Sequence, residues 1–189
     1  MINDKKKYFF LGGLILLYFT LNKKSDKQPE IKTKNKTKLT EKQISFINSI
    51  LPATKTIEKQ LGVPYQFIIA QICLESGFGK SSLTSKYFNF GGIKALKNQP
   101  SVKLLTTECK AGICKKVYQN FAVFKTALDG LMAQAKIYSN KYFKKYLNKT
   151  NDPFEYVKLL QSGTVKYATS PTYVKDISKL IDLVIKAGF

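Results

Sequence analysis

Residues 65–76, Tyr-Gln-Phe-Ile-Ile-Ala-Gln-Ile-Cys-Leu-Glu-Ser, are apolar on nearly every face of a helix, and such a helix has to be buried. Pro64 suits its first turn and Gly77 its left-handed stop. The flanking sequence supplies helices to cover it. Thr40 with Gln43 reads as a capping box, and Ile44, Ile47, Ile50 and Leu51 form an apolar stripe behind it. A separate helix is expected from Pro52 to Leu61, stopped by Gly62. Further helical patterns run over Lys125 to Tyr138, Asp152-Pro153 to Gln161 and Ser170-Pro171 to Ala187, each of the last two opened by a cap-then-proline pair. Between Ser101 and Phe124 the period changes to two. Val102, Leu104 and Thr106 precede a turn at Lys110-Ala111-Gly112-Ile113, and Val117, Phe121 and Val123 follow it, which predicts a β-hairpin. The expected fold class is mainly α (α+β), a helical domain carrying one hairpin.

The chain's 189 residues, 44% hydrophobic, suffice for one domain of roughly 150 residues and an appendage. The appendage is N-terminal. Residues 1–7 form a basic n-region, and residues 8–21 form an uncharged, mainly apolar run. That run reaches roughly 21 Å as a helix, against a hydrocarbon core of about 30 Å, and spans only with snorkelling lysines. No small-x-small cleavage site follows it, which favours an uncleaved membrane anchor over a removed signal peptide. Residues 22–39 hold seven lysines and only two aliphatic side chains, Ile31 and Leu39, the composition of a disordered, solvated linker. The folded domain is expected over residues 40–189.

Composition narrows the chemistry. There is no histidine and no arginine, so all 32 basic residues are lysines. A Ser-His-Asp or Cys-His system and a His-ligated zinc are excluded, and three cysteines, Cys73, Cys109 and Cys114, cannot make a four-thiolate site. Neither a metal nor an organic cofactor is expected. Acid–base chemistry falls to six Asp, six Glu, the tyrosines or a lysine. The formal charge of +20 suits a polyanion such as an anionic wall polymer. Without the guanidinium fork that reads guanine edges, nucleic acid is not an expected partner.

Glu75 is the most informative side chain. It ends the buried helix, with Ile72 and Gln71 three and four residues back and Ile68 further along the stripe. Apolar neighbours and the negative end of the helix dipole both raise a carboxyl's pKa, the condition of a general acid held protonated at neutral pH. The bland alternative is a solvent-facing glutamate at a frayed helix end.

The segments Ala70-Gln71-Ile72-Cys73-Leu74-Glu75-Ser76-Gly77-Phe78-Gly79-Lys80-Ser81 and Asn89-Phe90-Gly91-Gly92-Ile93-Lys94-Ala95 resemble the signature of bacterial cell-wall glucosaminidases, glycoside hydrolase family 73. Leu105-Thr106-Thr107-Glu108, Phe121-Ala122-Val123-Phe124 and Tyr167-Ala168-Thr169-Ser170-Pro171-Thr172-Tyr173 extend the resemblance in order over roughly residues 45–189. It implies a lysozyme-like fold with a sugar groove between a helical lobe and the hairpin. It also implies hydrolysis of the β-1,4 bond after N-acetylglucosamine in peptidoglycan, in the bacterial cell envelope. By position, Glu75 matches the general acid, Glu108 a second acidic residue proposed to activate water, and Tyr167 a tyrosine near the groove. Phe78, Asn89, Phe90 and Tyr173 are the expected substrate-binding residues. The chain departs from the family in carrying Gly91 where an aromatic is usual and Phe78 where a tryptophan is frequent.

The residues leave an inverting and a substrate-assisted mechanism both open. A lytic transglycosylase or muramidase of the same fold is the nearest alternative, and a non-catalytic wall-binding protein the next. Cys109 and Cys114 flank the hairpin turn, where a disulfide is geometrically reasonable in an oxidising compartment; two free thiols are the alternative. Cys73 reads as a small core residue.

Overall fold

The computed structural model describes residues 38–110 and 113–189, with the side chains of residues 108–114 excepted. The n-region, the apolar run and residues 22–37 of the linker therefore lie outside the described residues. Leu39, expected in the linker, packs partly against the core.

Helix α1 spans Glu41–Leu61 and opens on the expected box: the Gln43 amide donates to Thr40 Oγ1, and the Thr40 amide to Gln43 Oε1 at 2.9 Å. The expected break at Pro52 does not occur, and one helix of 21 residues runs through it. An interior proline costs about 3 kcal/mol. Here Ile47, Ile50, Thr54 and Ile57 form one unbroken buried stripe on both sides of it, and burial of that stripe outweighs the lost hydrogen bond. Gly62 then ends the helix at φ 64°, its amide donating to the Glu58 carbonyl.

Helix α2, Tyr65–Ser76, is buried all round, as its apolar sequence requires. It packs against α1, against α5 (Pro153–Ser162) and against α6 (Tyr173–Lys186). A six-residue helix α3, Ser82–Tyr87, which the apolar pattern is too short to signal, and a 3-10 turn at Lys144–Tyr146 complete the connections with α4, Ala127–Ala135. Asp152 caps α5 as expected, accepting from the Phe154 amide at 2.8 Å, with Pro153 in the first turn. Helix α6 departs from expectation. Ser170-Pro171 does not open it, because a hydrogen-bonded turn comes first and the helix begins only at Tyr173.

Strands β1, Ser101–Lys110, and β2, Ile113–Ala122, pair antiparallel from Ser101↔Ala122 to Lys110↔Ile113. The hairpin is tied to the helical body at its base. Phe121 bridges Lys94, the Ala122 amide donates to the Ile93 carbonyl, and Phe121 and Ala122 are buried.

Candidate active site

Glu75 is the penultimate residue of α2, and the chain reverses immediately after it. Gly77, Phe78 and Gly79 all take positive φ, at 59°, 58° and 78°. Ser76 braces the reversal, its hydroxyl donating to the Ile72 carbonyl at 2.6 Å and accepting from the Gly79 amide at 2.8 Å. A Cβ on Gly79 would meet the Phe46 ring at 2.4 Å, so the Gly-x-Gly spacing serves both the turn and its contact with α1. Phe78 pays the left-handed penalty of roughly 1 kcal/mol without being glycine. This leaves it partly buried against the core, three residues beyond the acid.

Glu75 itself is partly buried. Burial pushes its carboxyl up to about 8, opposed by a hydrogen bond from Gln71 Nε2 to Glu75 Oε1 at 3.0 Å. Gln71 is wholly buried and is held in turn by the Tyr173 hydroxyl, which donates to Gln71 Oε1 at 2.8 Å. Sequence reasoning set Gln71 among the neighbours of Glu75 without giving it a role. A carboxamide within the apolar stretch of the helix, one turn before the acid, was the available signal.

Below this chain lies an aromatic floor. Tyr167 stacks on Tyr138 with centroids 5.7 Å apart and meets Tyr173 at 5.6 Å, while Phe67 meets Tyr138 and Tyr156 at 5.3 and 5.1 Å. Burial pushes the hydroxyls of Tyr138, Tyr156, Tyr167 and Tyr173 up, and the carboxyl of Glu75 raises Tyr167 and Tyr173 further. They stay neutral near pH 7.

Among the residues expected to bind substrate, Phe78 keeps partial exposure, whereas Tyr173 is only 4% exposed and faces Gln71. Phe90 is 3% exposed within the core, too enclosed to stack on a sugar. Asn89 is 1% exposed and its amide is spent on backbone: Nδ2 donates to the Ile93 and Ala122 carbonyls at 2.8 and 2.9 Å, and Oδ1 accepts from the Ile93 amide at 2.8 Å. It joins the loop after α3 to the base of the hairpin. Gly91 is buried where a Cβ would stand 1.7 Å from Gln134 Oε1, so the Gln134 carboxamide occupies the space a side chain would need. Glu108 stands in β1 opposite Lys115, and Cys109 opposite Cys114, in the ladder; their side chains, and with them the disulfide expectation, lie outside what is described. Burial pushes the Cys73 thiol up, which removes nucleophilic character.

Residues 51–185 match a protein-family model named Glucosaminidase and described as mannosyl-glycoprotein endo-beta-N-acetylglucosaminidase. The exo-glucosaminidase LytG of Bacillus subtilis (strain 168) is 28% identical over 180 residues, covering 92% of this chain; the chain spans 62% of that relative's length. Among solved structures, the catalytic domain of the autolysin Auto from Listeria monocytogenes superposes with a TM-score of 0.65 at 29% identity, over 76% of this chain and 84% of that one. A C-terminally truncated glycoside hydrolase domain of FlgJ from Salmonella typhimurium gives 0.63 at 27% identity, over 78% and 99%.

Proposed function

The chain belongs to the glucosaminidase family, and from that premise we propose that it is a peptidoglycan hydrolase that cleaves the β-1,4 bond between N-acetylglucosamine and N-acetylmuramic acid. The observation that carries this reading is the carboxyl of Glu75, pushed up to about 8 by burial at the open end of α2. An acid of that strength is mostly protonated at neutral pH and still able to give its proton away.

The carboxyl donates its proton to the glycosidic oxygen as the C1–O bond breaks, and the leaving sugar departs with a hydroxyl. Water then adds to C1. Glu108, in the hairpin, takes the proton from that water in an inverting reaction; in a substrate-assisted reaction the acetamido oxygen attacks C1 first and Glu108 supports it. Tyr167 lies in the neutral floor beneath the acid and keeps its surroundings weakly polar. Phe78, three residues beyond the acid and partly exposed, serves as the stacking surface for a sugar ring. Asn89 serves as a brace between the loop and the hairpin.

The proposed setting is the bacterial envelope. No helix among the described residues is long and apolar enough to cross a membrane. The apolar run at residues 8–21 is assigned membrane attachment on its sequence, and the lysines offer contact with anionic wall polymers.

Digestion of purified peptidoglycan with the full chain, followed by mass spectrometry, tests the reading. Fragments with a reducing-end N-acetylglucosamine support it. Reducing-end N-acetylmuramic acid would make the enzyme a muramidase, and a 1,6-anhydromuramic end a lytic transglycosylase. No released fragments at all would favour a wall-binding protein.

A further inference from the structure

Among the described residues, the two hydrogen bonds that lead to Glu75 through Gln71 run one way. The Tyr173 hydroxyl donates to Gln71 Oε1 at 2.8 Å, and Gln71 Nε2 donates to Glu75 Oε1 at 3.0 Å. The amide oxygen can only accept, so a donating tyrosine turns it towards itself and turns the NH₂ group towards the acid. An amide N–H, in turn, is received more strongly by the carboxyl oxygen that carries no hydrogen than by the one that does. Among the described residues, Glu75 Oε2 has no such partner.

We propose that Gln71, oriented by Tyr173, is a positioning residue that confines the proton of Glu75 to Oε2, the oxygen left to meet the glycosidic bond. This rests on Glu75 being the general acid. An unconstrained carboxyl divides its proton between two oxygens, and a proton on the inner one is useless to the substrate. Gln71 is 0% and Tyr173 4% exposed, so neither is placed to touch a glycan. Their effect has to pass through the acid. Tyr173 thereby changes role, from an expected substrate contact to the outer member of a relay.

The same N–H favours the ionised carboxyl, and so limits how far burial raises its pKa. The other ionisable groups coupled to Glu75 among the described residues are Tyr167, in the loop before α6, and Tyr173, its first residue, with Tyr138 and Tyr156 behind them; burial keeps all four neutral. Glu108 on the hairpin is common to every variant compared below, so its contribution cancels.

The test is the pH dependence of kcat and KM between pH 5 and 10 on a soluble peptidoglycan oligosaccharide, for the full chain and for Gln71→Met, Tyr173→Phe and Glu75→Gln. In Gln71→Met the maximal kcat should fall about 10-fold with KM within about 2-fold, and the alkaline limb should move up by about one pH unit, because the anion has lost a donor. Tyr173→Phe should move the limb in the same direction by less, since the freed amide withdraws its N–H from the acid only part of the time. A buried glutamine that merely fills space would lower activity at every pH and leave the limb where it was. An unmoved limb in Tyr173→Phe and in a folded Gln71→Met, judged by circular dichroism, overturns the proposal. Should Gln71→Met fail to fold, the limb of Tyr173→Phe alone decides. Near-normal turnover in Glu75→Gln would remove the acid assignment itself, a failure separate from that of the relay.

Discussion

At the scale of single residues, Glu75 carries opposing demands of activity and stability. Glu75→Gln keeps the shape and the Gln71 contact but has no proton to give. Turnover on peptidoglycan should fall by at least about 100-fold with the fold intact, within the roughly 10²–10⁴ range of general-acid contributions. The same substitution should stabilise the protein. With a folded pKa of about 8 against an ordinary value of 4.5, the carboxyl costs nothing below pH 4.5, where it is neutral in both states. As pH rises from there towards 8, the unfolded chain ionises while the folded one resists, and stability is progressively lost. Denaturant melts should show Glu75→Gln gaining at most about 3 kcal/mol at pH 7 and nothing at pH 4. An equal gain at both pH values would mean that the carboxyl is not held neutral.

At the scale of elements, close approach is what most restricts sequence. Gly130 lies in α4 where a Cβ would stand 1.8 Å from the Phe88 carbonyl oxygen and 3.3 Å from the Phe90 ring. Backbone cannot yield as a flexible side chain does. Gly130→Ala should cost roughly 2–4 kcal/mol despite the better helix propensity of alanine, read as a lower denaturation midpoint. The hairpin offers a second test. Cys109 and Cys114 are partners in the ladder, and a bridge there would close a short loop beside Glu108. Reduction should then lower activity more than global stability, because the constraint is local. Two free thiols by mass spectrometry in protein from an oxidising compartment would end that expectation. Much at this scale was legible: the buried α2, the capping box of α1, the hairpin and the cap of α5 all follow from local signals, and the lysozyme-like arrangement of helical body and hairpin is met. Pro52 misled because its cost is local while the stripe that overrides it is buried by contacts far along the chain. Helix α3 was missed because six residues cannot establish a period.

At the scale of the whole molecule, the proposed tether and the charge make separable predictions. A random coil of sixteen residues, the length of the segment 22–37, has a root-mean-square span of about 22 Å, so a tether at residues 8–21 would hold the catalytic domain close to the membrane. The full-length protein should fractionate with membranes and resist high-salt washing. Its attachment to isolated wall, driven by a net charge of +20, should instead weaken steeply with salt. Mature protein beginning between residues 20 and 40 would show that the apolar run is removed, and the tether would have to be given up.

What the sequence determined by itself is what period and punctuation can encode: which segment is buried, where helices start, which residues alternate, and that a glutamate ends the innermost helix. These depend on neighbours a few residues away. Which way the side chains around the acid point was decided only by tertiary structure. Asn89 and Phe90 carry the motif yet turn inward, because the loop they sit on must be fastened to the hairpin base and the core. Tyr173 meets Gln71 across 102 positions of chain, and no local pattern records such a meeting. Burying a carboxamide against a carboxyl leaves donors and acceptors that have to be matched, and only the packing of α6 on α2 brings the tyrosine that matches them.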